Sequence, residues 1–512
     1  MNIFDSIKIT KPKRNVFDKS HEKKLSCNMS DLVPIYLEEI LPGDQFRVTS
    51  EVFMRLAPMV APIMHRVNVF VHYFFVPNRL VYDEWENFIT GGEDGTESPS
   101  FPKLNITTTF RAYFNKGTLA DYFGIPVTEG ISTINQNKTV SALPFRGYQM
   151  IFNEYYRDQN SVDKIEFSTG ETHPTADYVP LTTIRQRAWE KDYFTSALPF
   201  AQKGDPVNLP IDAEFSPQYL DPALAETLTG PSGTENITRN SSEEIITGGE
   251  DTVIRNLEDP QVVDSTSVTI NDLRTALRLQ RWLERNARAG TRYVEQILGH
   301  FGVRLGDYRA QRPVYLGGGK QNVVISEVLA STAATGQPLA TMAGHGISVG
   351  NQNKFTQKFT EHGFVFGLMS VIPRSAYQQG LAKYWRKYDK FDYFWPEFAQ
   401  LGEQPVLNEE LYLDYESTGA EGSETFGYQS RYAEYKFTNS SVHGDFRDDL
   451  LHWHMGRVFS SLPVLNESFI SANPSDRVFA VDDDWATNKL YVQVFNKVRA
   501  IRPIPKFNTP HI

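Results

Sequence analysis

Residues Arg66 to Asn78 read RVNVFVHYFFVPN, and this stretch decides the predicted fold. Apolar residues recur at every second position, which is the spacing of one face of a β-strand. That face contains Val67, Val69, Val71, Tyr73 and Phe75. Because the opposite face also carries apolar groups such as Phe70, both faces of the strand should be covered. Pro77 should end the strand.

Similar alternation predicts strands at Phe364–Ile372 and Leu490–Val498, so the chain is expected to be mainly β. Its 512 residues are 40% hydrophobic and 13% aromatic, which is enough for a large packed core. Cys27 is the only cysteine, which excludes an intramolecular disulfide and a cysteine-based zinc site. The fold should therefore be held by packing and by neighbouring subunits, with Cys27 as a small buried hydrophobe.

The net charge of −11 and the pI near 5.6 argue against a dedicated nucleic-acid binder, which needs a basic face. The sequence has no apolar run long enough to span a bilayer and no apolar signal-peptide core. It therefore predicts no membrane insertion and a chain that is made and assembled in a cytoplasm.

The N-terminal residues 1–24 are rich in lysine and poor in apolar residues, which predicts an extended basic arm. The commonest fate of such a terminus is a solvated tail. The alternative is an arm that contacts nucleic acid or a basic internal protein. The residues assigned to that contact are Lys8, Lys11, Lys13 and Arg14.

The clearest predicted helix begins near Asn271, which can cap it, and ends before Gly290. A second short helix is expected after Thr291. Residues 204–268, just before the capped helix, are dominated by Gly, Ser, Thr, Asn and acidic residues. A long stretch without periodicity inside a compact protein is usually a functional loop or disorder. We therefore interpret residues 204–268 as an insertion into a scaffold.

No motif in the sequence indicates a catalytic centre, a metal site or a cofactor site. Gly317-Gly318-Gly319-Lys320 lacks the spacing of a phosphate-binding loop, so a flexible loop is predicted there. His443, His452 and His454 are close in sequence, but no compact ligand motif surrounds them. Structural or interface histidines are the favoured interpretation over metal ligands.

The run from Tyr384 to Phe398, YWRKYDKFDYFWPEF, interleaves aromatic residues with cations. Aromatic residues and arginine are enriched at protein interfaces, which favours a subunit contact. The residues assigned to that contact are Trp385, Tyr388, Phe394 and Trp395. The alternative is stacking on single-stranded bases, with Arg386 and Lys387 on phosphates or on an internal protein.

Long segments of the chain, in order, resemble the major capsid proteins of microviruses, the small tailless single-stranded DNA phages, and best the gokushovirus branch. They include the block Arg14–Gly92, WEKDYFTSALPFAQKGDPV from Trp189 and LERNARAGTRYVEQILGHFGV from Leu283. YQQGLAKYWRKYDKFDYFWPEFAQLGEQPVLNEE from Tyr377 continues the series. The resemblance fails mainly between about Gly204 and Val268.

The resemblance implies an eight-stranded antiparallel jelly roll with long loop insertions and a few short helices. This single domain should comprise residues 25–203 and 269–512, with residues 1–24 as the arm. Residues 204–268 should form a surface protrusion at the threefold axes that contacts the host. The residues assigned to that protrusion are Thr229, Asn236, Ile237, Ile245 and Ile246.

The implied function is self-assembly, through pentamers, into a T=1 shell around circular single-stranded DNA. The implied partners are copies of the chain, the packaged DNA, a small basic DNA-packaging protein, an internal scaffolding protein, a pilot protein and a host cell-surface receptor. The implied location is the virion, assembled in the bacterial cytoplasm. The alternative is a non-viral β-sandwich that binds carbohydrate, or a glycosidase, for which abundant aromatics would also serve.

Overall fold

The computed structural model describes residues 13–94, 96–136, 138–205, 227–230, 233–239, 245–247, 270–289, 310–331, 340–415, 421–481 and 488–507. The chain divides into two compact units. The first unit comprises Met1–Ala201 and Ala287–Ile512, and the second comprises Gln202–Asn286.

The described strands define the fold. In chain order they are β1 (Asn15–Asp18), β2 (His21–Cys27), β3 (Val33–Ile40), β4 (Gln45–Leu56), β5 (Val67–Pro77), β6 (Lys103–Ile106), β7 (Lys138–Ser141), β8 (Thr227–Gly230), β9 (Gly233–Arg239), β10 (Ile245–Thr247), β11 (Val314–Asn322), β12 (Val324–Leu329), β13 (Met342–Lys358), β14 (Gly363–Pro373), β15 (Ala376–Tyr377), β16 (Glu403–Leu407), β17 (Thr425–Ser430), β18 (Ser440–Ser441) and β19 (Leu490–Arg502).

The described α-helices are mostly one or two turns long. They are α1 (Trp85–Thr90), α2 (Leu119–Tyr122), α3 (Leu143–Ile151), α4 (Tyr178–Thr182), α5 (Ile270–Ala289), α6 (Asn408–Leu411) and α7 (Glu467–Ile470). The predicted helix near Asn271 is confirmed as α5, which has 20 residues, but it begins at Ile270, so Asn271 lies inside the helix rather than capping it. The short helix expected after Thr291 lies outside the described residues.

The first main sheet has the strand order β1-β19-β4-β13-β12, and β2 also pairs with β19. Its inward face is set by the alternation along β4, where every second residue from Phe46 to Leu56 is buried. The intervening residues, such as Arg47 and Arg55, lie on the opposite face and are exposed. Period two in the sequence thus fixes which face of this sheet meets the core.

The second main sheet has the order β11-β5-β14-β3, and all of its pairings are antiparallel. On one side, β5 places Val69 and Val71 against residues of the first sheet. On the other side, Phe74 and Val76 pack with side chains of α3 such as Tyr148. The prediction that both faces of β5 are covered is therefore confirmed.

The two sheets enclose a common apolar core, in which Val48 of β4 and Val494 of β19 join Val69 of β5. Two antiparallel sheets with these strand orders make the jelly-roll arrangement. The prediction of a mainly β, antiparallel jelly roll is thus confirmed. The inner strands of the first sheet are β19, β4 and β13, with β1 and β2 at one edge and β12 at the other.

The structure differs from the predicted arm of residues 1–24. Asn15–Asp18 and His21–Cys27 are strands of the first sheet, paired with β19. Lys23 also donates through Nζ to the carbonyl of Pro34 at 2.8 Å. The prediction missed these strands because their charged residues hide the alternation, and because their partner lies at the other end of the sequence. Residues 1–12 lie outside the described residues.

The flexible loop predicted at Gly317–Lys320 is wrong, because these residues belong to β11. A Cβ atom at Gly318 would lie 2.3 Å from the carbonyl oxygen of Val71, and one at Gly319 would lie 2.3 Å from Oδ1 of Asn353. The glycines therefore permit close approach within a sheet rather than flexibility.

The second unit contains a three-stranded antiparallel sheet of the order β10-β9-β8 and most of α5. The predicted insertion, residues 204–268, falls within this unit. The unit boundary lies beyond the predicted one, because α5 belongs to the second unit as far as Asn286.

Candidate self-association surface

The aromatic segment predicted from the sequence folds as three short 3₁₀ turns, Lys383–Arg386, Lys390–Asp392 and Pro396–Phe398. The middle turn is fixed by a capping box. The Asp392 carboxylate accepts the backbone N–H groups of Tyr388 at 2.9 Å and of Asp389 at 2.8 Å. These hydrogen bonds, first that of Asp389 and then that of Tyr388, lower the pKa of Asp392. The segment therefore has a defined backbone although it lacks regular helix or strand.

Its cations tie the segment to the rest of the first unit. Nε of Arg386 lies 3.1 Å from a carboxylate oxygen of Glu409. Nζ of Lys387 lies 3.2 Å from Glu434 and 3.9 Å from the ring centre of Tyr435. Burial lowers the pKa of Lys387, but hydrogen bonds with Tyr435 and Glu434 outweigh burial and raise it. Both cations are therefore engaged within the chain, which weakens their assignment to DNA phosphates.

The aromatic side chains of the segment point outward. Trp385 is 63% exposed and Tyr388 is 86% exposed, while Phe394 and Trp395 are about half exposed. We define the aromatic surface as Tyr384, Trp385, Tyr388, Phe391, Tyr393, Phe394 and Trp395, all of them exposed. Contiguous exposed apolar side chains of this kind mark interaction sites on soluble proteins.

Contacts hold two of these rings, those of Trp395 and Phe394, in place. The indole Nε1 of Trp395 donates to the carbonyl of Lys390 at 2.8 Å. The ring of Phe394 packs edge-on against Tyr432 at 4.9 Å. Rings that are already fixed lose little side-chain entropy when a partner covers them. The geometry therefore suits a preorganised contact.

The other residues assigned from the sequence are dispersed. Lys13 and Arg14 are exposed beside the first sheet, whereas Lys8 and Lys11 lie outside the described residues. In the second unit, Thr229 pairs with Thr234 between β8 and β9. The remaining assigned residues of that unit lie on β9 or β10, and they are Asn236, Ile237, Ile245 and Ile246. The sheet β8–β10 thus brings the five assigned protrusion residues together.

The three histidines have separate surroundings. His454 is buried, with Nδ1 accepting the N–H of Gly456 at 3.0 Å and Nε2 lying 2.7 Å from the carbonyl of Phe446. Burial lowers the pKa of His454. His443 is exposed and contacts Ser441 at 2.8 Å, and His452 is half-buried with its ring beside that of Trp453. Across the described residues, no group of three His, Cys, Asp or Glu side chains is placed to hold a metal ion.

Sequence reasoning missed a cleft of about 620 Å³ on the outer face of the second sheet. Its lining combines aromatic residues with charges of both signs: His72, Tyr156, Trp189, Tyr315, Arg187, Lys191, Arg374, Glu190 and Asp192. Burial, and secondly the charge of Arg187, lowers the pKa of His72 to about 4. His72 is therefore neutral at physiological pH.

Arg187 is the distinctive group of this cleft. Its guanidinium lies 4.1 Å above the ring of Phe70 and donates to Oγ of Ser370 at 3.2 Å. Among the described residues, no carboxylate lies within ion-pair distance of it. The charge of Glu190 acts on Arg187 without forming an ion pair, so the guanidinium can still bind an anionic ligand. The sequence offered no signal for this cleft, because its residues come from β5, β11 and loops far apart in the chain.

Comparison with known proteins agrees with the fold. The family model described as capsid protein (F protein) matches residues 6–512. Capsid protein VP1 of Chlamydia phage 1 is 36% identical, over 99% of this chain and 97% of that protein. Capsid protein VP1 of Bdellovibrio phage phiMH2K is also 36% identical, over 91% of this chain and 90% of that protein. Capsid protein VP1 of Spiroplasma virus 4 is 30% identical, over 96% of this chain and 94% of that protein.

These relatives confirm the resemblance to microvirus capsid proteins. Among the described helices, none combines the length and apolar character that crossing a membrane requires. The family is one of structural proteins rather than enzymes, which agrees with the absence of catalytic motifs from the sequence. This chain therefore belongs to the capsid protein (F protein) family.

Proposed function

We propose that this chain assembles with copies of itself, through pentamers, into a T=1 icosahedral shell that encloses circular single-stranded DNA. The observation that carries the proposal is the aromatic surface. It is exposed in the single chain, yet its backbone is fixed by the capping box and by the ion pairs of Arg386 and Lys387, and contacts hold the rings of Phe394 and Trp395. A fixed and exposed aromatic patch on a capsid-family subunit supports contact with a neighbouring subunit.

The test is to purify the protein and follow its assembly by sedimentation and electron microscopy. The expected result is closed particles of one size, with pentamers as the smaller species. A protein that stays monomeric at every concentration and salt condition would overturn the proposal. Particles of other symmetry would refute the T=1 assignment alone.

Genome enclosure is supported by the cleft around Arg187. Aromatic walls can stack on bases, and a guanidinium that is not ion-paired can bind a phosphate. Lys13 and Arg14 offer a second exposed basic site, and Lys8 and Lys11 precede them in the sequence. We assign these groups to the packaged DNA, or to the small basic protein that accompanies it. The internal scaffolding protein and the pilot protein complete the partners in this proposal.

The DNA assignment can be tested with matched arginine variants. Arg187→Gln should lower the DNA content of purified particles more than the yield of particles. Arg386→Gln is the control, because Arg386 is already paired with Glu409 and its loss should leave the DNA content per particle unchanged. Equal DNA content in both variants would refute the role of the cleft. The same comparison applies to neutralisation of Lys8, Lys11, Lys13 and Arg14.

The second unit is our proposed host-attachment protrusion, clustered at the threefold axes. Its support is a polar, acidic composition over residues 204–268 and a small sheet, β8–β10, in a unit separate from the jelly roll. Deleting Thr229–Gly249 should leave shells forming in the bacterial cytoplasm while adsorption of virions to cells falls. Collapse of the shells would assign the segment to the core, and normal adsorption would place the receptor site elsewhere.

A further inference from the structure

Strand β12 lies at the edge of the first main sheet. It pairs with β13 on one side, and no strand of the described chain pairs with its other side. Its inner-face residue Ile325 packs against the core, so Val324, Ser326 and Val328 lie on the outer face. Val324 is 70% exposed and Val328 is 53% exposed.

The hydrogen-bond pattern identifies which backbone groups are available. The N–H of Ala330 donates to the carbonyl of Thr341 at 3.0 Å, in the same register as the β12–β13 ladder. In an antiparallel ladder, the N–H and C=O of one residue point to the same side, and the side alternates along the strand. Ile325, Glu327 and Leu329 therefore direct both groups away from β13, toward the open edge.

This edge lacks the usual protection against pairing. Exposed edge strands commonly carry lysine, proline or a bulge that blocks addition of another strand. Val324–Leu329 reads VISEVL, with no proline, no cation and a regular register to β13. Only Glu327 is charged. An unprotected edge of this kind presents unpaired N–H and C=O groups that can pair with another strand.

We propose that β12 pairs antiparallel with β12 of a second copy across a twofold axis, so that two first sheets become one. This inference rests on the proposed self-assembly and specifies one of its contacts. The partner is a second copy because the strand is self-complementary when the axis passes through Ser326. Val324 then lies opposite Val328 of the other copy, and Ile325 exchanges hydrogen bonds with Glu327.

Pairing about Ser326 is more favourable than pairing about either adjacent residue. An axis through Glu327 would place two carboxylates directly opposite each other, which is unfavourable. An axis through Ile325 would lose the pairing of Val328 and shorten the contact. The register centred on Ser326 also places side chains of one face on the same side in both copies, as a twofold axis normal to the sheet requires.

Cysteine crosslinking tests the register directly. Cys27 is the only native cysteine and is 1% exposed, so Ser326→Cys introduces the one accessible thiol. Opposed residues of a non-hydrogen-bonded pair have Cα atoms about 4.5 Å apart, within disulfide range. Mild oxidation of assembled protein should convert most of this variant to a covalent dimer on a non-reducing gel. An unchanged monomer band would overturn the proposal.

Two further variants control for chance collisions. Val328→Cys alone should not crosslink, because its two copies would be roughly 14 Å apart at about 3.4 Å per residue. Val324→Cys combined with Val328→Cys should crosslink, because those positions lie opposite each other. Efficient crosslinking of Val328→Cys alone would overturn the register.

A proline variant tests the contact without oxidation. Glu327→Pro removes an N–H that faces the open edge, a place where a strand tolerates proline. It should keep the subunit folded, as judged by circular dichroism and melting, and abolish the twofold contact in assembled material. Particles of the parent protein that form while Ser326→Cys fails to crosslink would refute the β12 pairing and leave the proposed function standing. Absence of particles from the parent protein would instead refute the proposed function.

Discussion

Replacing Trp385 with alanine should separate assembly from folding. Trp385 is 63% exposed in the single chain. Its backbone N–H donates to the carbonyl of Ala382 at 3.0 Å, a bond that alanine preserves. Its main ring neighbour, Tyr384 at 5.1 Å, is itself exposed. The substitution therefore removes an exposed indole ring from the aromatic surface while leaving the core intact.

The size of the effect follows from the exposed area. A tryptophan presents about 250 Å², so 63% of it is roughly 160 Å². At about 25 cal/mol per Å², burying that area in a contact is worth up to about 4 kcal/mol. The cost to the folded subunit should stay below about 1 kcal/mol, because the side chain is mostly outside the core.

The assay compares the protein concentration at which particles appear, measured by light scattering, with the melting temperature of unassembled subunits. Trp385→Ala should raise the protein concentration needed for particles by at least tenfold, which corresponds to about 1.4 kcal/mol per contact. It should leave the melting temperature of the unassembled subunits nearly unchanged. Trp189→Ala is the control. Trp189 is buried below the guanidinium of Arg457 at 5.1 Å, so its loss should cost about 3–5 kcal/mol of folding stability. Assembly of Trp385→Ala at the parent's concentration would refute the assignment of the aromatic surface.

Two further predictions concern stability. Burial raises the pKa of Asp31 to about 6, above its unfolded value near 4. The folded protein is therefore most stable with respect to this group below about pH 4, where the carboxyl is protonated in both states, and it loses that stability as the pH rises through 6. Asp31→Asn should therefore melt like the parent below pH 4 and be more stable above pH 6, by up to about 3 kcal/mol; equal melting curves at pH 7 would contradict this. Gly318→Ala should destabilise the subunit by about 1–3 kcal/mol or prevent folding, because its Cβ would meet the carbonyl of Val71, whereas Gly170→Ala, with only Ser168 near, should be neutral in denaturant titrations.

The sequence predicted the helices and strands in which apolar residues recur with a regular period. Strand β5 was predicted because apolar residues recur at every second position, and α5 because a candidate capping residue, Asn271, and Gly290 flank a segment with helical periodicity. Strand β2 was missed because an edge strand needs few apolar residues and its partner, β19, is distant in sequence. The glycines of β11 were misread because their role depends on a neighbouring backbone, Val71, that local sequence does not reveal.

The sequence likewise indicated some features of the candidate site and not others. The composition of Tyr384–Phe398 indicated a contact, and the structure agrees that the rings are exposed. It could not indicate that Arg386 and Lys387 are paired internally, because Glu409 and Glu434 come from separate turns. The cleft around Arg187 was beyond reach for the same reason, since its walls are assembled by the packing of distant segments.

The pairing of β1 and β2 with β19 has a consequence for synthesis. Distant parts of the sequence are joined here, for example by the hydrogen bond from the side chain of Asn15 to the carbonyl of Ile504, 489 positions away. At about 5–20 residues per second, a ribosome needs roughly 25 to 100 s to make 512 residues. During that time β2 and β4 wait without the strand that lies between them. The first sheet of a nascent subunit therefore stays incomplete until β19 has been made, because β19 is the strand that joins β1 and β2 to β4.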